Sequence, residues 1–298
     1  MRRTFLKRTF MNRAGCFAEL TKPRITSFIL MSSAIGFMCG AHLAPAWSWA
    51  ALLHMLIGTG LIASGTAALN QWYENEGDAL MRRTRARPIP SGRLTAREGL
   101  WFGVALSVLG FAELCLEVNL LTGLLGLFTL ASYLFVYTPL KRVSPISTTI
   151  GAIPGAMPPL IGYAAASGRL NFEAGILYAI LFLWQFPHFY AIAWMYREDY
   201  ARAGIRMLPV VEPDGDSTAR RIVWFSLALV PMSLAPKFFS MAGNVYLYGA
   251  LALGAIVLVA GFRAASEHST LRARQVLLAS VVYLPLLYGL LVIDGTRY

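Results

Sequence analysis

Asn70, Glu74 and Asp78 stand four residues apart in the stretch ALNQWYENEGDALMRRTRARPIPSGR, residues 68–93. On a helix that spacing puts them on one face, each step rising about 6 Å and turning about 40°. The result is a ladder of oxygen-bearing side chains over roughly 12 Å. Hard oxygens suit Mg2+, which takes one or two carboxylates and fills its other positions with water and substrate phosphates. Five arginines follow: Arg82, Arg83, Arg85, Arg87 and Arg93. A guanidinium fork grips two phosphate oxygens at once. Arg83 and Arg87 share a face if the helix continues that far, and Pro88 limits it. A second acidic pair, Glu198 and Asp199, lies in YREDYARAGIRMLPVV, residues 196–211. Two such clusters facing each other can hold Mg2+ around a diphosphate, with Asn70, Glu74, Asp78, Glu198 and Asp199 as ligands. Lys22, Arg24, Lys141 and Arg142 add positive charge nearby. The plain alternative for any one of these residues is a solvated ion pair worth about 0–1 kcal/mol.

His188 lies in WQFPHFYAIAWMYREDY, residues 184–200, inside an apolar segment. An ionisable side chain at membrane depth is a functional hypothesis by default. Neutral imidazole is a common ligand of haem iron; the alternative is a hydrogen bond between helices. His188 and Asp199 are eleven apart, which on an unbroken helix puts them on one face about 16 Å apart. Pro187 is a candidate kink. Trp184, Phe186, Phe189, Tyr190 and Trp194 read either as packing or as the lining of a cavity for a flat ring or an isoprenoid. His54 has no motif around it, and His42 and His268 fall in loops.

These residues need a scaffold, and the composition says what kind. Of 298 residues, 57% are hydrophobic and 14% charged, against roughly 25% charged in a soluble domain. Nine apolar runs are long enough for a bilayer core of about 30 Å: 25–45, 50–71, 99–116, 119–140, 146–166, 174–195, 222–240, 245–262 and 275–293. The expected fold is all-α: one multi-pass membrane domain over 1–298, with nine transmembrane helices around a central cavity and the N-terminus cytoplasmic. Residues 1–23 form a basic cytoplasmic arm, and the 72–98 and 197–221 loops carry the site. The net charge of +11 follows the positive-inside rule and does not indicate nucleic acid. With the N-terminus inside, 23 of the 26 Lys and Arg residues fall on the cytoplasmic side, leaving Arg169, Lys237 and Arg297 outside. The first 18 residues, Arg-rich and acid-free, also resemble a transit peptide. Cys16, Cys39 and Cys115 have no metal-binding spacing. The stretch YTPLKRVSPISTTIGAIPGAMPPLIGY, 137–163, is rich in Gly, Ala and Pro. Small residues let helices approach closely, and prolines break the hydrogen-bond ladder where backbone lines a cavity.

Taken together these stretches resemble the UbiA-type intramembrane prenyltransferases, which carry N-x-x-x-D-x-x-x-D after the second span and a second Asp-rich motif after the sixth. Within that family the closer resemblance is to the members that farnesylate haem. It is carried by LTKPRIT (20–26), NQWYENEGDALMRRTRARPIPSGR (70–93), YTPLKR (137–142), GAIPGAMPPLIGY (151–163), WQFPHF (184–189) and YREDYARAGIRMLPVV (196–211). Three positions depart from the pattern. Glu74 stands where the motif has Asp, the second motif is reduced to REDY, and Ser147 replaces an expected Asn.

The resemblance implies farnesyl diphosphate as donor and haem B as acceptor, so that haem is a substrate and Mg2+ the cofactor. One vinyl group would gain a farnesyl group and water, giving haem O for terminal oxidase assembly. Asn70, Glu74, Asp78 and Asp199 would hold Mg2+. Arg83, Arg87 and Lys141 would take the diphosphate, with Arg142, Lys22 and Arg24 adding charge, and His188 and Trp184 would hold haem. The partners implied are membrane lipid and a haem A synthase or oxidase-assembly protein. The implied location is the bacterial cytoplasmic (inner) membrane in preference to the mitochondrial inner membrane. Two other acceptor or cargo classes remain: an aromatic-acceptor polyprenyltransferase of quinone synthesis, and a membrane transporter or haem-delivery protein. The clustering of acids at one membrane face suits a headgroup-level diphosphate better than a transport path, which places charge near the midplane.

Overall fold

The computed structural model describes residues 13–41 and 48–295. Most of the basic arm, His42 and the last three residues lie outside the described residues. Everything described is helix, turn or coil, with no strand. Residues 13–20 form α1. The helices α2 (Pro23–Ala41), α3 (Trp49–Tyr73), α4 (Asn75–Leu80), α5 (Ala96–Glu117) and α6 (Leu120–Ala131) follow. α6 runs on through a π-helical turn, Ser132–Tyr137, into the short α7, Thr138–Leu140. Then come α8 (Ser147–Gly155), α9 (Pro158–Ser167), α10 (Phe172–Met195), α11 (Arg197–Arg202) and α12 (Leu208–Val211). α13 (Asp216–Phe238), α14 (Asn244–Glu267) and α15 (Thr270–Ile293) complete the chain.

Local chemistry sets many of the helix starts. Ser48, Asn119, Asn171 and Ser269 each accept a backbone N–H from the first turn of the helix they precede. Thr95 and Glu98 form a reciprocal capping box at the head of α5.

Among the described residues seven helical segments are long and apolar enough to cross a membrane: Pro23–Ala41, Trp49–Tyr73, Ala96–Glu117, Leu120–Leu140, Phe172–Met195, Asn244–Glu267 and Thr270–Ile293. The chain is an integral membrane protein. Two of the nine expected spans take another form. The run at 146–166 is not one helix: α8 and α9 are separated at Ala156–Met157, with Pro154 before the break and Pro158 and Pro159 after it. Proline removes a ladder donor and crowds the preceding carbonyl, so it ends or interrupts a helix here. The run at 222–240 belongs to α13, which starts earlier, at Asp216, and carries Arg220, Arg221 and Lys237. Those charges make α13 too polar to qualify by composition, although it has the length.

α3 packs along α5, and α2 along α9, while α10, α13, α14 and α15 close a ring of four. The α2–α9 contact depends on glycine. A Cβ on Gly36 would sit 2.0 Å from the Pro159 carbonyl oxygen, and one on Gly162 would sit 1.8 Å from that of Ser33. Within the ring of four, the buried Tyr246 and Tyr283 hydroxyls both donate to Ser233, at 2.8 Å to its carbonyl and 2.6 Å to its Oγ. Outward faces carry exposed apolar side chains such as Trp101, Leu116, Phe135, Trp224 and Ile256, as helices surrounded by lipid do.

Candidate active site

The site is built on the end of α3 and the turns beyond it. Glu74 has non-helical backbone angles (φ −95°, ψ 9°) between α3 and α4. The ladder nevertheless keeps its register. The Glu74 N–H donates to the Asn70 carbonyl at 2.9 Å, and the Asp78 N–H to the Glu74 carbonyl at 2.8 Å. Asn70 and Asp78 are buried, with 3% and 1% of their surface exposed.

Beyond Leu80 the helix stops, which corrects the expected common face of Arg83 and Arg87. Met81 is extended (φ −92°, ψ 130°), and the following residues form turns. The Thr84 hydroxyl donates to the Asp78 carbonyl at 2.9 Å. Asp199 accepts the backbone N–H groups of Arg82 and Arg83 at 3.4 and 3.3 Å. The two arginines part company. Arg87 folds back, donating from Nη1 to Asp78 Oδ2 at 2.6 Å. Arg83 stays exposed, its guanidinium 5.0 Å from the Tyr196 ring centre and 5.9 Å from that of Tyr200.

Lys141 enters from the far end of the π-helical turn. Its Nζ donates to both Glu74 oxygens at 3.0 and 3.1 Å. It also lies 4.4 Å from the Tyr137 ring centre and 5.8 Å from that of Tyr133. Asn70 joins the chain, donating Nδ2 to Glu74 Oε2 at 2.7 Å and accepting Lys22 Nζ on Oδ1 at 3.3 Å. Charge follows from these contacts. Burial opposes ionisation of Glu74, but the Lys141 ammonium and the Asn70 amide outweigh it and hold the carboxyl below its usual range. Burial also opposes the Lys141 charge, and the Tyr137 ring and Glu74 carboxylate more than restore it, so its pKa is raised. Lys22 differs: burial, with Arg87 and Lys141 close by, lowers it to about 7.

The second motif sits on α11. Asp199, 7% exposed, pairs with Arg202 as well as with the backbone of the first loop. The expected shared face of His188 and Asp199 is absent. α10 accommodates Pro187 without a break but ends at Met195, and Tyr196 (φ −113°, ψ 20°) separates it from α11. The two site-bearing loops are fastened together. Met81 packs in one cluster with Ala193, Ala203, Ile205 and Met207, and the Arg206 N–H donates to the Lys141 carbonyl at 2.8 Å. Arg142 is exposed, its guanidinium lying close over Gly77. Glu198, Arg24, Glu76, Arg82 and Arg85 are exposed.

His188 and Trp184 lie together on α10, their rings stacked 4.8 Å apart at 24°. Both reach α15 at a single residue: His188 Nδ1 is 2.9 Å from Ser280 Oγ, and Trp184 Nε1 donates to the Ser280 carbonyl at 2.7 Å. Sequence reasoning missed Ser280, Thr84, Tyr133 and Tyr137. Tyr133 and Tyr137 precede Lys141 at four-residue spacing, which was a usable signal; nothing local marks Ser280. Ser147 Oγ is buried without a hydrogen-bond partner among the described residues, at the position where an Asn was expected.

The side-chain oxygens of Asn70, Glu74, Asp78 and Asp199 are hard donors, which fit Mg2+ better than a soft metal. Each carboxylate is held by a cation of the same chain: Glu74 by Lys141, Asp78 by Arg87, Asp199 by Arg202. Among the described residues no three carboxylate, imidazole or thiol groups converge as a ready metal cluster. A bound cation would therefore have to replace or rearrange these internal partners.

Apolar helices that end in a cluster of buried oxygens and cations at one face define a membrane enzyme class, and the chain belongs to the UbiA prenyltransferase family, which it matches over residues 29–287. It is a transferase. A relative from Solibacter usitatus named protoheme IX farnesyltransferase is 62% identical over 93% of this chain and 98% of that protein. Among solved structures, a digeranylgeranylglyceryl phosphate synthase superposes with a TM-score of 0.78, at 17% identity over 95% of this chain and 98% of that one. A UbiA homologue from Archaeoglobus fulgidus bound to GPP and Mg2+ gives 0.64, at 16% identity over 93% and 99%. At those identities the structural likeness concerns the fold.

Proposed function

We propose that the protein transfers the farnesyl group of farnesyl diphosphate to a vinyl group of haem B, with addition of water, to give haem O for terminal oxidase assembly. The observation that carries this reading is the near full-length identity of 62% to a protoheme IX farnesyltransferase. The oxygen ladder and its cations supply chemistry suited to a diphosphate.

Asn70, Glu74, Asp78 and Asp199 would hold Mg2+, with Glu198 at the exposed rim. When bound, the metal supplies neutralisation of diphosphate charge. Arg87, Lys141 and Lys22 bind and orient the diphosphate, and Arg83, Arg142 and Arg24 draw it in from the cytoplasmic side. Charge that develops on the leaving group is stabilised by donors already in place. The C–O bond to the farnesyl group breaks, the haem vinyl attacks the allylic cation, and water takes up the new cation with loss of a proton. The apolar spans around the site would keep water from the first cation. His188 and Trp184 orient the haem.

Two further assignments complete the reading. The α8–α9 pair and α13 also cross, making nine spans with a cytoplasmic N-terminus. The division of Lys and Arg, 23 to 3, supports that topology. A reporter fused after Tyr298 then reads as non-cytoplasmic, and a cytoplasmic reading removes the nine-span count. The membrane is a bacterial inner membrane, and a haem A synthase or oxidase-assembly partner receives the product.

The direct test incubates the purified protein with haem B, farnesyl diphosphate and Mg2+ and weighs the porphyrin. A mass gain of one farnesyl group plus one hydroxyl group is expected. Unchanged haem, with a hydroxybenzoate prenylated instead, overturns the assignment.

A further inference from the structure

Ser280 lies in the middle of the last helix and is wholly buried (0% exposed). It is 92 residues from His188 and carries none of the motifs. Yet it makes three polar contacts whose directions can be worked out. Its hydroxyl is 2.7 Å from the Leu277 carbonyl, one turn back along α15. A carbonyl can only accept, so the single hydroxyl proton points there. The same oxygen lies 2.9 Å from His188 Nδ1. With the hydroxyl donating to Leu277, the oxygen is left to accept in that contact and the imidazole to donate. That arrangement favours a proton on His188 Nδ1. In the neutral ring this leaves the Nε2 lone pair unprotonated, and Nε2 has no hydrogen-bond partner among the described residues.

The third contact fixes the neighbour. The Trp184 indole N–H donates to the carbonyl of the same Ser280 at 2.7 Å, and its ring stacks on the imidazole. The edge of Phe189, with ring centres 5.6 Å apart, closes a further side. The imidazole is thus held in one tautomer and one plane. This is the arrangement by which an outer hydrogen bond prepares a histidine to ligate a metal: it sets which nitrogen is free and raises that nitrogen's basicity.

The geometry points to Ser280 as a positioning residue for the acceptor substrate: it fixes the Nδ1–H tautomer of His188 and presents Nε2 to the iron of haem. This rests on the reading of haem as acceptor. It adds a residue of α15 to the haem site, so the last helix does more than complete the bundle.

The test titrates the purified wild-type chain, Ser280→Ala, Ser280→Thr and His188→Ala with haem B, and records resonance Raman spectra of the ferrous complexes. The expected wild-type spectrum contains an iron–histidine stretching band, lost in His188→Ala. Ser280→Ala should weaken haem binding by about 10- to 100-fold, the usual range for loss of an outer partner. It should also move the iron–histidine band to lower frequency, because the ring loses its Nδ1 partner. Ser280→Thr keeps a hydroxyl and should restore both readouts. Helix content by circular dichroism, equal in all four proteins, shows that folding is intact; a purely structural Ser280 would leave the band in place. An unmoved band and unchanged affinity in Ser280→Ala, with the band lost in His188→Ala, overturn the role of Ser280 while leaving His188 as ligand. An unchanged His188→Ala spectrum overturns the inference, because the iron is then held elsewhere; farnesylated haem formed by that variant would show that the reaction assignment stands. A wild-type chain that binds no haem overturns both.

Discussion

Arg87 Nη1 lies 2.6 Å from Asp78 Oδ2, and the carboxylate is 1% exposed. The last rung of the oxygen ladder is therefore paired with the nearest cation for a diphosphate, nine residues away in sequence. On the proposed function, a metal at Asp78 and a diphosphate at Arg87 would have to separate the pair.

The pair predicts different outcomes for its two halves. Asp78→Ala should abolish prenyl transfer and leave a folded protein, because on the proposed assignment it removes a ligand while Arg87 remains partly open to solvent. Arg87→Met leaves a buried, unpaired carboxylate, a defect that generally costs about 3–5 kcal/mol, so its melting temperature in detergent should fall further than that of Asp78→Ala. Combining Arg87→Met with Asp78→Asn removes the orphaned charge and should recover part of the stability without turnover. Full turnover in Asp78→Ala would sink the metal assignment.

How much of this was legible follows from the range of each interaction. Asn70, Glu74 and Asp78 were readable because their register needs only hydrogen bonds four residues long, and these survive the irregular backbone at Glu74. The face shared by Arg83 and Arg87 was misread because the end of α4 is set from a distance. Asp199, 116 residues away, captures the N–H of Arg83 and draws the chain into turns. Apolar runs gave most spans to within a few residues, since hydropathy is a local property. Prolines marked the break between α8 and α9, yet no pattern says whether a proline ends a helix: Pro187 sits inside α10 without ending it. The links from Lys141 to Glu74 and from Ser280 to His188 span 67 and 92 residues. Only the packed fold brings such pairs together.

Lys22 predicts a pH dependence of stability. Burial and the neighbouring Arg87 and Lys141 lower its pKa from 10.5 to about 7 in the folded protein. Between those values the unfolded chain binds the proton and the folded chain does not. The unfolded state then carries more protons, so this group makes stability rise with pH from about 7 towards 10. Lys22→Met removes that contribution. The gap between the melting temperatures of the wild-type and variant proteins should move in favour of the wild type as the pH goes from 7 to 9.5 in metal-free buffer. A gap that stays constant, or moves the other way, means that Lys22 keeps its charge in the folded chain.

The α2–α9 contact predicts that a mutation far from the ladder will reach it. Beside Gly162 the nearest atoms are the Ser33 carbonyl oxygen at 1.8 Å and the Phe37 nitrogen at 2.7 Å from the place of a Cβ. Both are backbone atoms, so no side chain can turn aside, and Gly162→Val must push the helices apart. Overpacking a fitted core typically costs about 1–3 kcal/mol, and a backbone clash belongs at or above the top of that range. Gly175 on α10 has nothing within 4 Å of its Cβ position, so Gly175→Val serves as the control. Size-exclusion profiles of detergent extracts should show a several-fold loss of monodisperse protein for Gly162→Val and none for Gly175→Val. The surviving Gly162→Val protein should also transfer farnesyl more slowly. Lys22 immediately precedes α2, and a displaced α2 carries its amino group away from Asn70. Normal turnover in that fraction would mean that the N-terminal end of α2 is uncoupled from its glycine contact.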